Sequence, residues 1–320
     1  MSGRYFRALA PFYPKAFESF DLSAYELVIS STTSWAKGVI TAPSATHVCY
    51  INTPSRFLFA YERYVGGFGV GALAKPMVAR LAEWDRRAAL RPTAFVANSR
   101  NVAERVRRYY GRDAYVLPCP VDVDRFEVAG GKGEYFLVLS RLLPYKGIDL
   151  AIDAAAMAGV RLIVAGAGPA ADALRRRARG TTAELIGWVP DSKIPGLIAG
   201  AKAVIVPGEE DFGLVALEAA ASGRPAIALR RGGAVETVVD GETGMFFDDP
   251  TAASLAQALR AFEPTAFDAA RLRAHAEQFA PARFIERLRA LVDEIAQHGE
   301  HGARRGIAID DVPTSSAERA

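Results

Sequence analysis

Apolar and polar positions change their rhythm near residue 130. Beyond it, short unbroken apolar runs alternate with segments in which apolar residues recur every three or four positions. FLVLS (136–140), RLIVAG (161–166), ELIGWV (184–189), AVIVP (203–207), PAIALR (225–230) and TGMFFD (243–248) predict strands. Segments 147–158, 170–178, 194–201 and 214–222 predict helices, and a longer helical region follows TGMFFD. Continuous apolar strands separated by helices of roughly ten residues mean a parallel sheet covered on both faces, the doubly wound α/β arrangement.

The front part repeats the rhythm less completely. YELVISST (25–32), HVCYI (47–51), AFVANS (94–99) and AYVLP (114–118) predict strands, with WAKGVIT (35–41) and NVAERVRRYYG (101–111) between them. Residues 1–24, rich in aromatics and proline, predict a mobile or capping segment. The glycines of VAGGKGEYF (128–136) mark a linker, which divides the chain into a domain at 1–129 and a second at 130–295. From Gly299 the sequence is polar and aperiodic, so 299–320 is expected to be a disordered tail.

Composition narrows the function classes. The 320 residues carry 39 Lys and Arg against 36 Asp and Glu, a net charge of +3, which argues against a nucleic-acid binder. Arg105, Arg107, Arg108 and Arg112 form one basic cluster, and Arg175, Arg176, Arg177 and Arg179 another. Cys49 and Cys119 form no CxxC pair, and the four histidines show no metal-ligand spacing, so no metal is expected. The start MSGRYFRALA has no apolar core of a signal peptide, and no run approaches the ~20 apolar residues of a membrane span. A cytoplasmic protein is expected, at most touching the inner face of the plasma membrane through the Arg105–Arg112 cluster.

Candidate chemistry gathers after the strands, where α/β folds bind ligands. RLLPYKG follows FLVLS and brings Arg141 and Lys146 to a helix start, a combination suited to phosphate. GEEDFGLV follows AVIVP. There Gly213 permits close approach of a ligand, and the amides of Leu214 and Val215 open a helix toward an anion. Glu210 precedes that helix and Glu218 lies within it among Leu, Val and Ala, either facing solvent or touching a ligand. GG at 232–233 adds backbone donors. GAGPAA (166–171) matches G-x-G-x-x-A, but it opens the second βα unit of its domain and not the first, so dinucleotide binding is the weaker reading.

Together and in this order, SRLLPYKGIDLAIDA, LIVAGAGP, IGWVPDSKI, the E-x7-E element from Glu210 to Glu218, and RRGGAVETVVDGETGMFF resemble the retaining GT-B glycosyltransferases of family four, the group 1 enzymes with a bacterial mannosyltransferase-like branch. The resemblance runs from about residue 4 to residue 295. It implies two Rossmann-like domains facing a cleft, the second holding a nucleotide-diphosphate sugar. Arg141 and Lys146 would neutralise the diphosphate. Glu210 would hold hydroxyls of the transferred sugar, with Phe212, Gly213, Leu214 and Val215 lending backbone. Glu218 would bind the ribose, Trp188 and Val189 would sit beside the base, and Gly166 would border the donor. The donor would be a substrate, with GDP-mannose the first candidate, and no cofactor would be required. The acceptor would be a glycan or a lipid-linked saccharide.

FDLSAYELVISSTTSWAKGVIT (20–41) and CYINTPSRF (49–57) resemble the front domain of the same branch, with two departures. The family pattern has about seventy residues ahead of this point, with the first strand and a glycine-rich loop, so the first domain is expected to be incomplete. Asn52 stands where the branch carries histidine beside Thr-Pro. An amide cannot take up a proton near neutral pH. Asn52 is the candidate catalytic residue of this domain, able to hydrogen-bond a sugar hydroxyl but not to take up a proton, and an impaired or truncated homologue that binds donor without transfer is the alternative. Arg56 and Asn98–Arg100 could line the acceptor side, with Ser99 better read as a helix cap.

Overall fold

A computed structural model describes residues 9–60 and 75–302, with side chains to residue 297. The described residues divide into two compact units, one of 9–60, 75–118 and 285–302 and the other of 119–284.

In the first unit four parallel strands lie in sequence order: β1 (Leu27–Thr32), β2 (Thr46–Ile51), β3 (Ala94–Ala97) and β4 (Tyr115–Val116). The helix Arg100–Tyr110 starts at Ser99, whose hydroxyl accepts from the Val102 amide at 3.0 Å, the capping role its position suggested. The WAKGVIT segment holds only a single 3-10 turn, Ala36–Gly38. One helix, Lys75–Ala88, was not expected. Its buried stripe is Val78, Leu81, Ala82, Asp85 and Ala88, and the carboxylate in the middle of that stripe breaks the apolar period.

Asp85 is there for Lys37. Both side chains are fully buried and form an ion pair, the ammonium also donates to Ser34 O, and the Tyr110 hydroxyl donates to Asp85 Oδ2 at 2.6 Å. Residues 9–24, expected as mobile or capping, contain the helix Tyr13–Glu18, whose last carboxylate accepts from Trp84 Nε1 at 2.8 Å and Arg91 Nη2 at 2.5 Å. These two bonds tie the segment down.

The second unit is a six-stranded parallel sheet in the order β10-β9-β8-β5-β6-β7. Its strands are β5 (Tyr135–Leu139), β6 (Leu162–Ala165), β7 (Ala183–Gly187), β8 (Ala201–Val206), β9 (Ala226–Leu229) and β10 (Gly244–Phe247). Every expected strand is present, shifted by one or two residues at its ends. One face is covered by the helices Ile148–Ala158 and Ala252–Ala261, packed through Ile152, Leu255 and Leu259 against Phe136, Val138 and Ile205. The other carries Leu214–Ala221 and Ala269–Glu277, around Leu137, Val204, Leu217 and Leu272.

The segment 128–136, expected as linker, lies in the second unit, where Arg224 donates to the carbonyls of Gly130 (3.0 Å) and Gly131 (2.8 Å). The last helix runs Pro281–Gly302, so the tail expected from Gly299 begins as helix. Residues 303–320 lie outside the described residues. Among the described residues no helix is long and apolar enough to cross a membrane.

Candidate functional site

The strand order decides where the site of the second unit lies. From β5 the chain moves outward through β6 to β7, then returns to the other side of β5 as β8. Crossovers leaving β5 and β8 therefore diverge, and their carboxyl-end loops open a crevice at this switch point. The two loops are RLLPYKG and PGEEDFG.

They meet in a charge pair. Lys146 Nζ lies 2.6 Å from Glu210 Oε1 and 2.5 Å from Oε2, both side chains mostly but not wholly covered. Backbone contact sets this register. A Cβ on Gly147, where φ is 66°, would stand 2.7 Å from Pro207 O, and one on Gly208 would stand 2.7 Å from Lys146 O. Gly147→Ala is therefore expected to cost about 2 kcal/mol or more, combining left-handed strain with a backbone clash. Gly159→Ala isolates the strain term, because φ is 67° there and nothing lies within 4 Å of the added methyl. Urea denaturation of both variants should show the larger loss at Gly147.

The acidic loop is held from its other side by residues 232–233. Glu210 and Gly232 form a parallel bridge, and the Gly233 amide donates to Glu210 O at 2.9 Å. Gly213, with φ 101°, then turns the chain into the helix Leu214–Ala221. The first amides of that helix, at Leu214 and Val215, have no carbonyl one turn back to bond. Phe212 differs from its neighbours, because its ring is buried in the core against Phe279. Any contact it makes with a ligand is through backbone.

Glu218 sits on the same helix in a different electrostatic setting. Burial pushes its carboxyl up to about 7; Arg125 opposes this, and Asp191 adds to it. A carboxyl raised in the fold keeps its full stability below its ordinary range and loses it as pH rises through the folded value. Glu218→Gln should therefore raise stability at pH 8, by at most on the order of 3 kcal/mol, and leave it unchanged near pH 4. Chemical denaturation at the two pH values reads the difference.

The remaining expected site residues fall as follows. Arg141 is exposed at the end of β5 and makes no ion pair with a described residue. Gly166 packs on the β5 loop, where a Cβ would meet Ser140 O at 1.9 Å, and its amide is taken by Gly187 O at 2.7 Å. Trp188 follows β7 with 70% of its surface exposed, next to half-buried Val189. Asn52 belongs to the first unit, after β2, where its side-chain amide lies 3.5 Å from Ser31 Oγ and Thr32 O. Among the described residues no group of three His, Cys, Asp or Glu could hold a metal ion.

Arg125, in the 3-10 turn Val123–Arg125, is a neighbour of the site that the sequence did not single out. Its guanidinium donates to Asp191 O at 3.2 Å and lies close enough to Glu218 to act on its charge. The signal available was its place in VDVDRF, directly before buried Phe126.

Comparison with known proteins gives this arrangement a setting. Residues 121–279 match the family described as Glycosyl transferases group 1. Glycogen synthase of Pseudomonas aeruginosa is 37% identical over 145 residues, 42% of this chain and 28% of that protein. GDP-mannose-dependent alpha-(1-6)-phosphatidylinositol dimannoside mannosyltransferase of Mycobacterium tuberculosis is 38% identical over 116 residues, 34% of this chain and 30% of the relative. D-inositol 3-phosphate glycosyltransferase of Geodermatophilus obscurus is 30% identical over 246 residues, 66% of this chain and 55% of the relative. The chain thus spans from 28% to 55% of the length of these curated relatives. Among solved structures, sucrose-phosphate synthase of Thermosynechococcus elongatus superposes with a TM-score of 0.71 at 18% identity, covering 90% of this chain and 79% of that one. Anabaena HepE, solved with UDP and glucose, gives 0.60 at 21% identity, covering 77% of each chain. The fold is that of the GT-B proteins.

Proposed function

We propose that the chain, whose residues 121–279 match the group 1 glycosyltransferase family, moves a sugar, with retention, from a nucleotide-diphosphate sugar to a glycan or lipid-linked saccharide. The observation that carries the proposal is the Lys146–Glu210 pair at the switch point. It sets a cation and a hydroxyl acceptor side by side, where a diphosphate and its attached sugar must lie side by side. Donor binding exchanges partners. Lys146 turns from the carboxylate to the phosphate oxygens with Arg141, and Glu210 turns to the sugar hydroxyls. The bond from the anomeric carbon to the phosphate oxygen breaks, an acceptor hydroxyl oxygen takes its place and gives its proton to the departing phosphate oxygen, and Lys146 and Arg141 stabilise the charge left on the diphosphate. Glu218 accepts from the ribose hydroxyls, Trp188 and Val189 border the base, and the amides of Leu214 and Val215 face the anion. Positioning and charge suffice for these steps, so no cofactor is invoked.

The 38% identity to a mannosyltransferase named as GDP-mannose-dependent makes GDP-mannose the first donor to try. Calorimetric titration of the 320-residue chain with GDP-mannose, GDP, UDP-glucose, UDP and NAD tests the reading. Binding of one nucleotide family, weakened in Lys146→Ala and Glu218→Ala, is the expected result. Folded protein that binds none of the four nucleotides, or binds NAD instead, removes the proposal. A second reading, donor binding without transfer, is favoured by Asn52 alone, whose amide cannot shuttle a proton. Donor bound but never consumed in the presence of candidate acceptors would select it.

Contact with an anionic bilayer is a narrower proposal than the basic cluster suggested. Arg112 donates to the carbonyls of Ala89, Pro92 and Thr93, and Arg107 pairs with Asp113 at 2.7 Å. Flotation with anionic vesicles at physiological salt is the test, and protein left in the pellet fraction dismisses it.

A further inference from the structure

The helix Ala269–Glu277 carries a histidine on its buried side, remote in sequence from every residue assigned a role above. We propose that His275 is a positioning residue for Glu210, bracing the acidic loop that holds the transferred sugar; this rests on the donor-site reading given above. Two chains of contact lead from the imidazole to that loop, and they reach it at its two ends.

The first is polar. His275 Nε2 lies 3.0 Å from Thr237 O, with both residues buried. A carbonyl only accepts, so Nε2 carries the hydrogen. Burial lowers the ring's affinity for a second proton, opposed by the Thr237 carbonyl and by Glu242. Thr237 closes the short helix Ala234–Thr237, and its hydroxyl lies 3.4 Å from Gly233 O and Ala234 O. That turn presses on the acidic loop with no room to spare. A Cβ on Gly213 would stand 2.6 Å from Thr237 Oγ1, and one on Gly233 would stand 2.4 Å from Asp211 O and Phe212 Cα. The Gly233 amide then donates to Glu210 O at 2.9 Å.

The second chain is aromatic. The imidazole meets Phe279 edge to face at 5.5 Å, and Phe279 meets Phe212 edge to face at 6.1 Å. Phe212 lies two residues beyond Glu210 and directly before Gly213. The ring thus supports Glu210 through the Gly233 amide and supports the following turn through Phe212. A functional side chain set to within a fraction of an ångström needs such a shell of locked neighbours. An ordinary core histidine would need only to fill its space.

Two substitutions separate these roles. His275→Phe keeps an aromatic ring against Phe279 and removes the donor to Thr237 O. His275→Gln keeps a side-chain N–H of similar reach. Each is titrated with GDP-mannose and GDP, and with UDP-glucose and UDP, alongside thermal melting. Positioning of Glu210 predicts a selective effect, because Glu210 touches the sugar while Lys146, Arg141 and Glu218 hold the nucleotide. His275→Phe should weaken the nucleotide sugar by about tenfold and the matching nucleoside diphosphate by less than about twofold. His275→Gln should restore most of the loss. Equal weakening of both ligands in step with a lower melting temperature, or unchanged affinity for both, overturns the proposal. If His275→Phe does not fold, His275→Asn, too short to reach Thr237 O, replaces it with the same two readings. Wild-type protein that binds neither ligand pair defeats the donor-site reading, and this inference with it. Wild-type binding with an indifferent His275→Phe defeats this inference alone.

Discussion

Lys146→Ala is expected to weaken nucleoside diphosphate binding by about a hundredfold or more, while Glu210→Ala leaves it unchanged or improves it. The opposite signs follow from the pair itself. In the ligand-free protein the ammonium is already neutralised by both oxygens of Glu210. A diphosphate must win it from that carboxylate, so removing Glu210 releases the cation for the phosphates. Removing Lys146 instead leaves the carboxylate beside incoming negative charge, with Arg141 left to offset it. For the nucleotide sugar the Glu210→Ala result reverses, because the hydroxyl acceptor is lost along with the competitor. Titrating both variants with nucleoside diphosphate and with nucleotide sugar gives four affinities. A Glu210→Ala variant that loses both ligands equally would mean that the pair acts only as a structural clamp.

The largest expected effect on stability lies in the other unit. Asp85→Ala should destabilise by about 3–5 kcal/mol, because it removes the counter-charge of Lys37 in a site closed to solvent. The pair is fully enclosed, and the Tyr110 hydroxyl, donating at 2.6 Å, would lose its acceptor as well. Burial and Asp85 together push the tyrosine's own ionisation far above its ordinary range, so Tyr110 faces Asp85 as a neutral donor. Lys37→Met with Asp85→Leu removes both charges and should recover most of the loss. Urea denaturation of the single and double variants measures the coupling. A double variant as unstable as Asp85→Ala would assign the effect to packing around Trp84 and Gly38, where a Cβ would meet the indole at 2.5 Å.

These residues show what a reader of the sequence could and could not see. The strands of the second unit were legible because a parallel sheet buried on both faces leaves unbroken apolar runs such as FLVL and AVIV, which few other structures produce. Lys75–Ala88 was hidden by the carboxylate on its buried stripe, since a period search treats Asp85 as polar and solvent-facing. At the site, the spacing from Glu210 to Glu218 and the basic loop at Arg141 and Lys146 were visible as local signals. That Lys146 touches Glu210 was not, because 64 residues separate them and only the strand order brings them together. The brace from His275 through Thr237 is farther still from any linear pattern, since its links are a backbone carbonyl and a ring edge.

The switch in strand order also has a consequence for synthesis. β5 is made first in its unit, but its neighbour on one side, β8, is made fourth, after β6 and β7. Until residues 201–206 have emerged, one edge of YFLVL stays open, an apolar strand with unpaired backbone groups and no charge to discourage another chain. Non-local parallel pairing of this kind is slow to form. The nascent chain is therefore most prone to aggregate while β8 is still being made, and the arrival of that one strand both closes the vulnerable edge and delivers Glu210 to Lys146.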